Sequence, residues 1–128
     1  MNRHDFKKLS DIRLREAGIL LSSRQYSGAY YLGGYAVESG LKACIAKNVR
    51  RHEFPDRRRV NDSYTHDLER LVWAAQLESE LNQLARNDRE FDQNWTIVKD
   101  WNEGKRYERI SRREALDLYA AITDSRHG

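Results

Sequence analysis

Two residues of the chain, Arg59 and His66, have the types and the spacing to act together on a phosphate. Six residues separate them, and the histidine falls where a helix is expected to begin. The positive end of a helix dipole disfavours imidazolium, so we expect a neutral ring that can take a proton from a ribose 2′-hydroxyl. A guanidinium can hold the scissile phosphate. The pair predicts metal-free RNA cleavage through a 2′,3′-cyclic phosphate; the alternative is a structural histidine and an exposed arginine.

A basic segment precedes the histidine along the chain. Residues 47–59 hold six of the 23 Lys and Arg residues and two of the 20 acidic ones, which leaves 17 and 18 elsewhere. The positive excess is therefore local, and such a patch favours a polyanion such as RNA, DNA or a nucleotide. The alternative is a solvated, arginine-rich loop over about 48–64. The predicted nucleic-acid-binding residues are Lys47, Arg50, Arg51, Arg57 and Arg58.

The longest element predicted to position these residues is a helix over Tyr26–Lys47. Small and apolar residues recur in it at steps of three and four, and four glycines lie within it. Each glycine costs about 1 kcal/mol in a helix interior, so we expect a neighbouring helix to approach closely in return. The alternative is a strand–turn–strand structure around the Gly-Gly pair of YYLGGY.

Polar residues of the same helix are expected to lie near the histidine. Glu38 and Lys42 are four residues apart and can pair along one helix face. Together with Tyr35, and with Asp67 beside His66, they are predicted to shape a pocket or to orient the imidazole. The alternative is a structural Glu–Lys pair at a helix contact or a dimer contact.

Helical periodicity predicts the remaining elements as well. We expect a first helix over about 5–21, a third that begins at His66 with Thr65 as its cap, and a fourth over 78–86. The aromatic-rich stretch 91–107 is expected to be short helical or irregular. A Ser111–Glu114 capping box opens a last helix that runs to about Thr123. The prediction for residues 1–128 is a single all-α domain, an up-down bundle of four to five helices.

The sequence lacks the motifs that are typical of several classes of protein. No run of 18 apolar residues could span a membrane, and no GxxxxGK[ST] loop is present. The four histidines and the single cysteine do not have metal-ligand spacing, so no metal and no cofactor are expected. The N-terminal residues lack the apolar segment of a signal peptide, and a lone cysteine agrees with a cytoplasmic location.

The chain resembles the HEPN domain family, a nucleotide- and nucleic-acid-associated helical domain. The matching segments are AYYLGGYAVESGLKA (29–43), YTHDLERL (64–71) and WNEGKRY (101–107) with the final helix. The resemblance implies a bundle that forms a homodimer, often a metal-independent ribonuclease toxin of a toxin–antitoxin or abortive-infection system. Arg59 and His66 would then be the motif residues that meet across the dimer, and a nucleotidyltransferase-like antitoxin is a further partner that it implies.

Other members of the family bind nucleotides or RNA without catalysis. In active members the residue after the arginine is usually polar and the motif lies in the last core helix. Here Val60 follows the arginine, and the histidine opens the third helix. The alternative function is therefore a non-catalytic nucleotide- or RNA-binding module, or a protein-interaction module.

Overall fold

The computed structural model describes residues 2–51 and 65–124, and the regular structure in these two ranges is entirely helical. The all-α prediction is confirmed there, although six α-helices occur rather than four to five. The additional helix covers part of the aromatic-rich stretch 91–107, which was predicted to be either short helical or irregular. The α-helices are α1 (Arg3–Ser22), α2 (Tyr26–Arg51), α3 (Leu68–Ala74), α4 (Glu78–Asn87), α5 (Arg89–Lys99) and α6 (Arg112–Thr123), with a 3-10 helix at Glu103–Tyr107.

Helices α1 and α2 form an antiparallel hairpin, as the short joint between them predicts. Arg24 adopts a left-handed φ of 60° in this joint, and the Gln25 amide donates back to the Leu20 carbonyl at 2.8 Å. Ser10 near the start of α1 donates its hydroxyl to the Ala36 carbonyl of α2 at 2.6 Å. No helix in the described ranges is both long enough and apolar enough to cross a bilayer.

Two of the four glycines of α2, Gly28 and Gly34, have a neighbour at short range, and only at Gly28 does that neighbour belong to another helix, as expected. A Cβ at Gly28 would lie 3.1 Å from Leu20, and one at Gly40 would lie 3.5 Å from the Ser10 hydroxyl, both on α1. At Gly33 a Cβ would meet side chains of α6, whereas at Gly34 it would lie 2.1 Å from Trp101 Cε2. The helix is continuous through these positions, so the strand–turn–strand alternative is wrong.

The core lies between α2, α3 and α6, and Trp101 from the segment before the 3-10 helix closes it. Its least exposed large side chains are Leu68, Leu71, Trp101 and Leu118. The predicted capping box opens α6: the Ser111 hydroxyl accepts from the Glu114 amide at 3.1 Å, and the Glu114 carboxylate accepts from the Ser111 amide at 3.3 Å. This helix ends at Thr123, as predicted.

Candidate functional site

His66 lies in the extended segment immediately before α3. The prediction that it occupies the first turn, with Thr65 as the cap, is wrong. Asp67 is the N-cap, and its carboxylate accepts from the amides of Glu69 at 3.0 Å and Arg70 at 3.2 Å. A charged carboxylate at this position interacts favourably with the helix dipole. Since the imidazole stands outside the helix, the helix dipole is no longer a reason to expect a neutral ring.

Glu38 of α2 holds one nitrogen of the imidazole. Its Oε1 lies 2.6 Å from His66 Nδ1, and its Oε2 lies 3.6 Å from Lys42 Nζ. The Glu38 side chain is only 4% exposed, and a buried carboxylate is stable only when it is paired and hydrogen-bonded. An ionised carboxylate can only accept hydrogen bonds, so Nδ1 carries a hydrogen in this arrangement. Glu38 thereby fixes both the tautomer and the orientation of the ring.

The second ring nitrogen faces another carboxylate. His66 Nε2 lies 3.4 Å from Oε2 of Glu103, at the start of the 3-10 helix, and the imidazole is 39% exposed. This contact is longer and more exposed than the one with Glu38, so it is the weaker of the two. With the hydrogen of a neutral ring on Nδ1, Nε2 is the nitrogen that can accept a proton, and its contact with Glu103 is a hydrogen bond only when the ring is protonated.

Aromatic side chains support the imidazole from the side of α2. The Tyr35 ring packs edge-on against His66 at 6.2 Å between centroids, and it also contacts Trp101 at 5.5 Å and Tyr31 at 4.8 Å. Burial raises the pKa of Tyr35, and the hydrogen bond with Tyr31 and the nearby Glu38 and Glu103 carboxylates raise it further. The phenol is therefore uncharged at neutral pH, and it forms part of a largely apolar wall.

An open groove of about 550 Å³ gives access to the ring. Four acidic side chains line it, together with Lys99 as the basic one: Asp67, Glu69, Asp100 and Glu103. The described lining is thus acidic around the histidine, which disfavours a phosphate unless basic residues approach from elsewhere. Within the described ranges, no three or more His, Cys, Asp or Glu side chains are placed to hold a metal ion.

Of the four predicted pocket residues, Tyr35 and Glu38 contact the imidazole, Asp67 caps α3 and lines the groove, and Lys42 contacts Glu38. Lys47 is exposed near the end of α2. The predicted residues Arg57, Arg58 and Arg59 lie outside the described residues, as do the side chains of Arg50 and Arg51. The pairing of Arg59 with His66 therefore stays a prediction.

Glu103 and Trp101 are the site residues that sequence reasoning did not assign. The available signal was the position of both inside WNEGKRY, one of the three segments that carry the family resemblance. Comparison of the chain with protein-family models, with curated proteins and with solved structures gave no match.

Proposed function

We propose that the protein is a HEPN-like ribonuclease that cleaves RNA without a metal ion, in the role of a toxin or defence effector. The observation that supports this best is the 2.6 Å contact between His66 Nδ1 and the buried Glu38 carboxylate. It leaves Nε2 as the proton acceptor at the edge of an open groove, which is the arrangement that a general base requires.

The proposed reaction uses both nitrogens of the imidazole. His66 Nε2 takes the proton of a ribose 2′-hydroxyl, and the 2′-oxygen attacks the adjacent phosphorus. The bond from phosphorus to the 5′-oxygen breaks, and the imidazolium returns the proton to that leaving oxygen. The products are a 2′,3′-cyclic phosphate and a 5′-hydroxyl. Glu38 stabilises the imidazolium formed in between, and Arg59 is the proposed phosphate clamp.

Glu103 competes with the substrate in this mechanism. Its carboxylate lies next to Nε2, the nitrogen to which the ribose 2′-hydroxyl has to donate its proton. The substrate hydroxyl has to replace the 3.4 Å contact between Nε2 and Glu103 Oε2. Glu103 also repels the phosphate that follows. Its replacement by glutamine should therefore strengthen RNA binding, whereas replacement of Glu38 should impair catalysis.

The test is cleavage of a 5′-labelled structured RNA in EDTA. We expect products with 2′,3′-cyclic phosphate ends, and a rate loss of about 10²- to 10⁴-fold in His66→Ala, the usual contribution of a general base. Glu38→Gln should lose less, since it removes orientation rather than the base. His4→Ala is the matched control, because His4 is an exposed histidine at the start of α1. Cleavage no faster than in His66→Ala would reject the catalytic function.

A non-catalytic nucleotide- or RNA-binding module is the second candidate. The observation that favours it is the pair of carboxylates on the imidazole, in a groove whose described lining is acidic. His66 would then join α2, α3 and the 3-10 helix, and the basic segment 47–59 would bind the ligand. No cleavage, together with salt-dependent binding that weakens when Arg57, Arg58 and Arg59 are neutralised, would support this candidate. Unchanged affinity in that triple variant would reject it.

The partners proposed with either function are a second copy of the chain and, for a toxin, a nucleotidyltransferase-like antitoxin in the cytoplasm. The resemblance to the HEPN family is the support for both partners. Light scattering of the purified protein tests the homodimer: a monomer at every concentration would count against shared chemistry between two copies.

A further inference from the structure

A second groove adjoins the groove at His66, and Tyr30 of α2 is one of the residues that line it. Its volume is about 460 Å³, and we refer to it as the Tyr30 groove. Glu69, Lys99 and Asp100 belong to both grooves. Thr96 and Ile97 of α5 also line it. Its charged rim consists of Glu69 of α3, Lys99 and Asp100 at the end of α5, and Glu114 and Asp117 of α6.

Tyr30 distinguishes this groove from an ordinary acidic surface. The residue is only 5% exposed, and its hydroxyl forms no hydrogen bond with any residue in the described part of the chain. Burial raises the pKa of Tyr30 to about 12, and the charges of Asp100, Glu114 and Glu108 raise it in the same direction. The phenol is therefore protonated at neutral pH, close to carboxylates, with an oxygen that is free to accept. The hydroxyl oxygen is not among the enclosed side-chain atoms of the described residues that lack a hydrogen-bond partner, so it is accessible from the groove that Tyr30 lines.

Among the described residues, the rim carries more negative charge than its neighbours neutralise. Asp117 pairs with Arg113 at 3.3 Å, and Glu114 takes part in the capping box of α6. Within the described residues, the side chains of Glu69 and Asp100 have no ion pair and no hydrogen bond. The same part of the chain places no metal-binding cluster here. The chemistry of the rim thus suits an organic cation that donates several N–H bonds.

We propose that the Tyr30 groove binds an alkylammonium or guanidinium group, which donates hydrogen bonds to the Tyr30 hydroxyl and to the Asp100 carboxylate. Thr96 and Ile97 provide a wall for the alkyl chain of such a ligand. Lys99 carries the one ammonium group of the rim and competes with the ligand by charge. Two sources share this chemistry: a free polyamine, and a lysine or arginine side chain of a partner protein.

Calorimetric titration of the purified chain tests the site, with spermidine and an end-blocked tetralysine peptide as the two probes. We expect Tyr30→Phe, which keeps the buried ring and removes only the hydroxyl, to weaken binding about tenfold, as for loss of one hydrogen bond to a charged group. Asp100→Asn should weaken binding by a similar factor, and Lys99→Met should strengthen it. Glu80→Gln is the matched control, an exposed acid on α4 outside the groove.

The outcomes separate the two sources and can overturn the site. Tighter binding of spermidine identifies a free polyamine, and tighter binding of the peptide identifies a partner side chain. The proposal is overturned if neither probe binds, or if Glu80→Gln weakens binding as much as Asp100→Asn does. Should Tyr30→Phe fail to fold by circular dichroism, the contrast between Asp100→Asn and Lys99→Met decides alone.

Discussion

His66 owes its chemical character to the groups that its two nitrogens meet. The Nδ1 contact is short, and its partner Glu38 is almost fully enclosed, whereas the Nε2 contact with Glu103 is longer and partly solvated. Such asymmetry gives the ring one anchored nitrogen and one nitrogen available to a ligand. Lys42 adds to the anchor, because it occupies the second oxygen of Glu38.

Replacing Glu38 by glutamine should release the ring from its fixed tautomer. An amide can donate or accept at Nδ1, so the preference imposed by a carboxylate is lost. We expect the ¹⁵N shifts of His66 to change from one tautomer to a mixture at alkaline pH, and the free energy of unfolding to fall by about 1–3 kcal/mol. Glu80→Gln should leave both unchanged, and an unaltered His66 spectrum in Glu38→Gln would contradict the anchoring role.

At the residue scale the sequence predicted the carboxylate on one side of the imidazole, Glu38, and missed the one on the other side, Glu103. Glu38 and Lys42 are one helical turn apart, and such a pair can be read directly from spacing. The contact of Glu38 with His66 spans 28 positions, and that of Glu103 depends on how the 3-10 helix packs against α2. Neither distance follows from local periodicity, so the placement of both carboxylates required the structure.

At the element scale, α2 shows two uses of glycine that the sequence does not distinguish. Gly34 lies directly under the indole of Trp101, and a Cβ there would overlap it at 2.1 Å. Gly40 faces only the Ser10 hydroxyl, at the ordinary contact distance of 3.5 Å. Gly34 is required by packing, because a side chain would overlap the indole. Gly40 lowers the stability of the helix without allowing a similarly close contact.

Alanine at these two positions should therefore act in opposite directions. Gly34→Ala should lower the free energy of unfolding by about 2–3 kcal/mol, because the buried indole has to move. Gly40→Ala should raise it by up to about 1 kcal/mol through helix propensity. Urea unfolding of the two variants against the wild type measures both effects, and a shift of the same sign in both would refute this distinction.

The start of α3 shows why the first residue of a helix is difficult to predict from sequence. Thr65 and Asp67 are both good N-cap residues, and only two positions separate them. In the structure the Thr65 hydroxyl accepts from the Asp67 amide at 3.1 Å, so the threonine organises the approach to the helix while the aspartate caps it. This places His66 in extended backbone, from which its ring reaches α2.

On the scale of the whole molecule, the all-α class followed from the absence of alternating patterns, and the close approach of α1 at Gly28 followed from the glycines of α2. The charge distribution could be predicted from the sequence only in part. The basic excess in residues 47–59 was evident from counting. The acidic linings of the two grooves instead combine residues from four places in the fold: Asp67 and Glu69 at the start of α3, Asp100 after α5, Glu103 in the 3-10 helix, and Glu114 and Asp117 in α6. Only the tertiary arrangement brings those charges together.

Alkaline pH should weaken the whole fold through two phenols, of which Tyr30 is buried and Tyr35 is half-buried. Burial raises the pKa of Tyr30 from 10.0 to about 12, and it also raises that of Tyr35. The folded chain then holds these protons more tightly than the unfolded chain, so their contribution to stability is complete below pH 10.0 and is lost as the pH rises towards about 12.

Urea unfolding at a series of pH values from about 9 upwards measures this loss. Tyr30→Phe removes one of the two groups, so its free energy of unfolding should fall less steeply over this interval than that of the wild type. Tyr26→Phe is the comparison, because Tyr26 is a less buried tyrosine of the same helix. Identical slopes in Tyr30→Phe and the wild type would contradict the assignment.

The enclosure of Trp101 has an optical consequence. Its indole is 1% exposed, its Nε1 has no hydrogen-bond partner in the described part of the chain, and Tyr35 lies in contact with both this indole and the imidazole. Such an indole should emit at short wavelength and resist collisional quenchers. With Trp73 and Trp95 replaced by phenylalanine, the protein would carry an intrinsic fluorophore that reports on events at His66 without an attached dye.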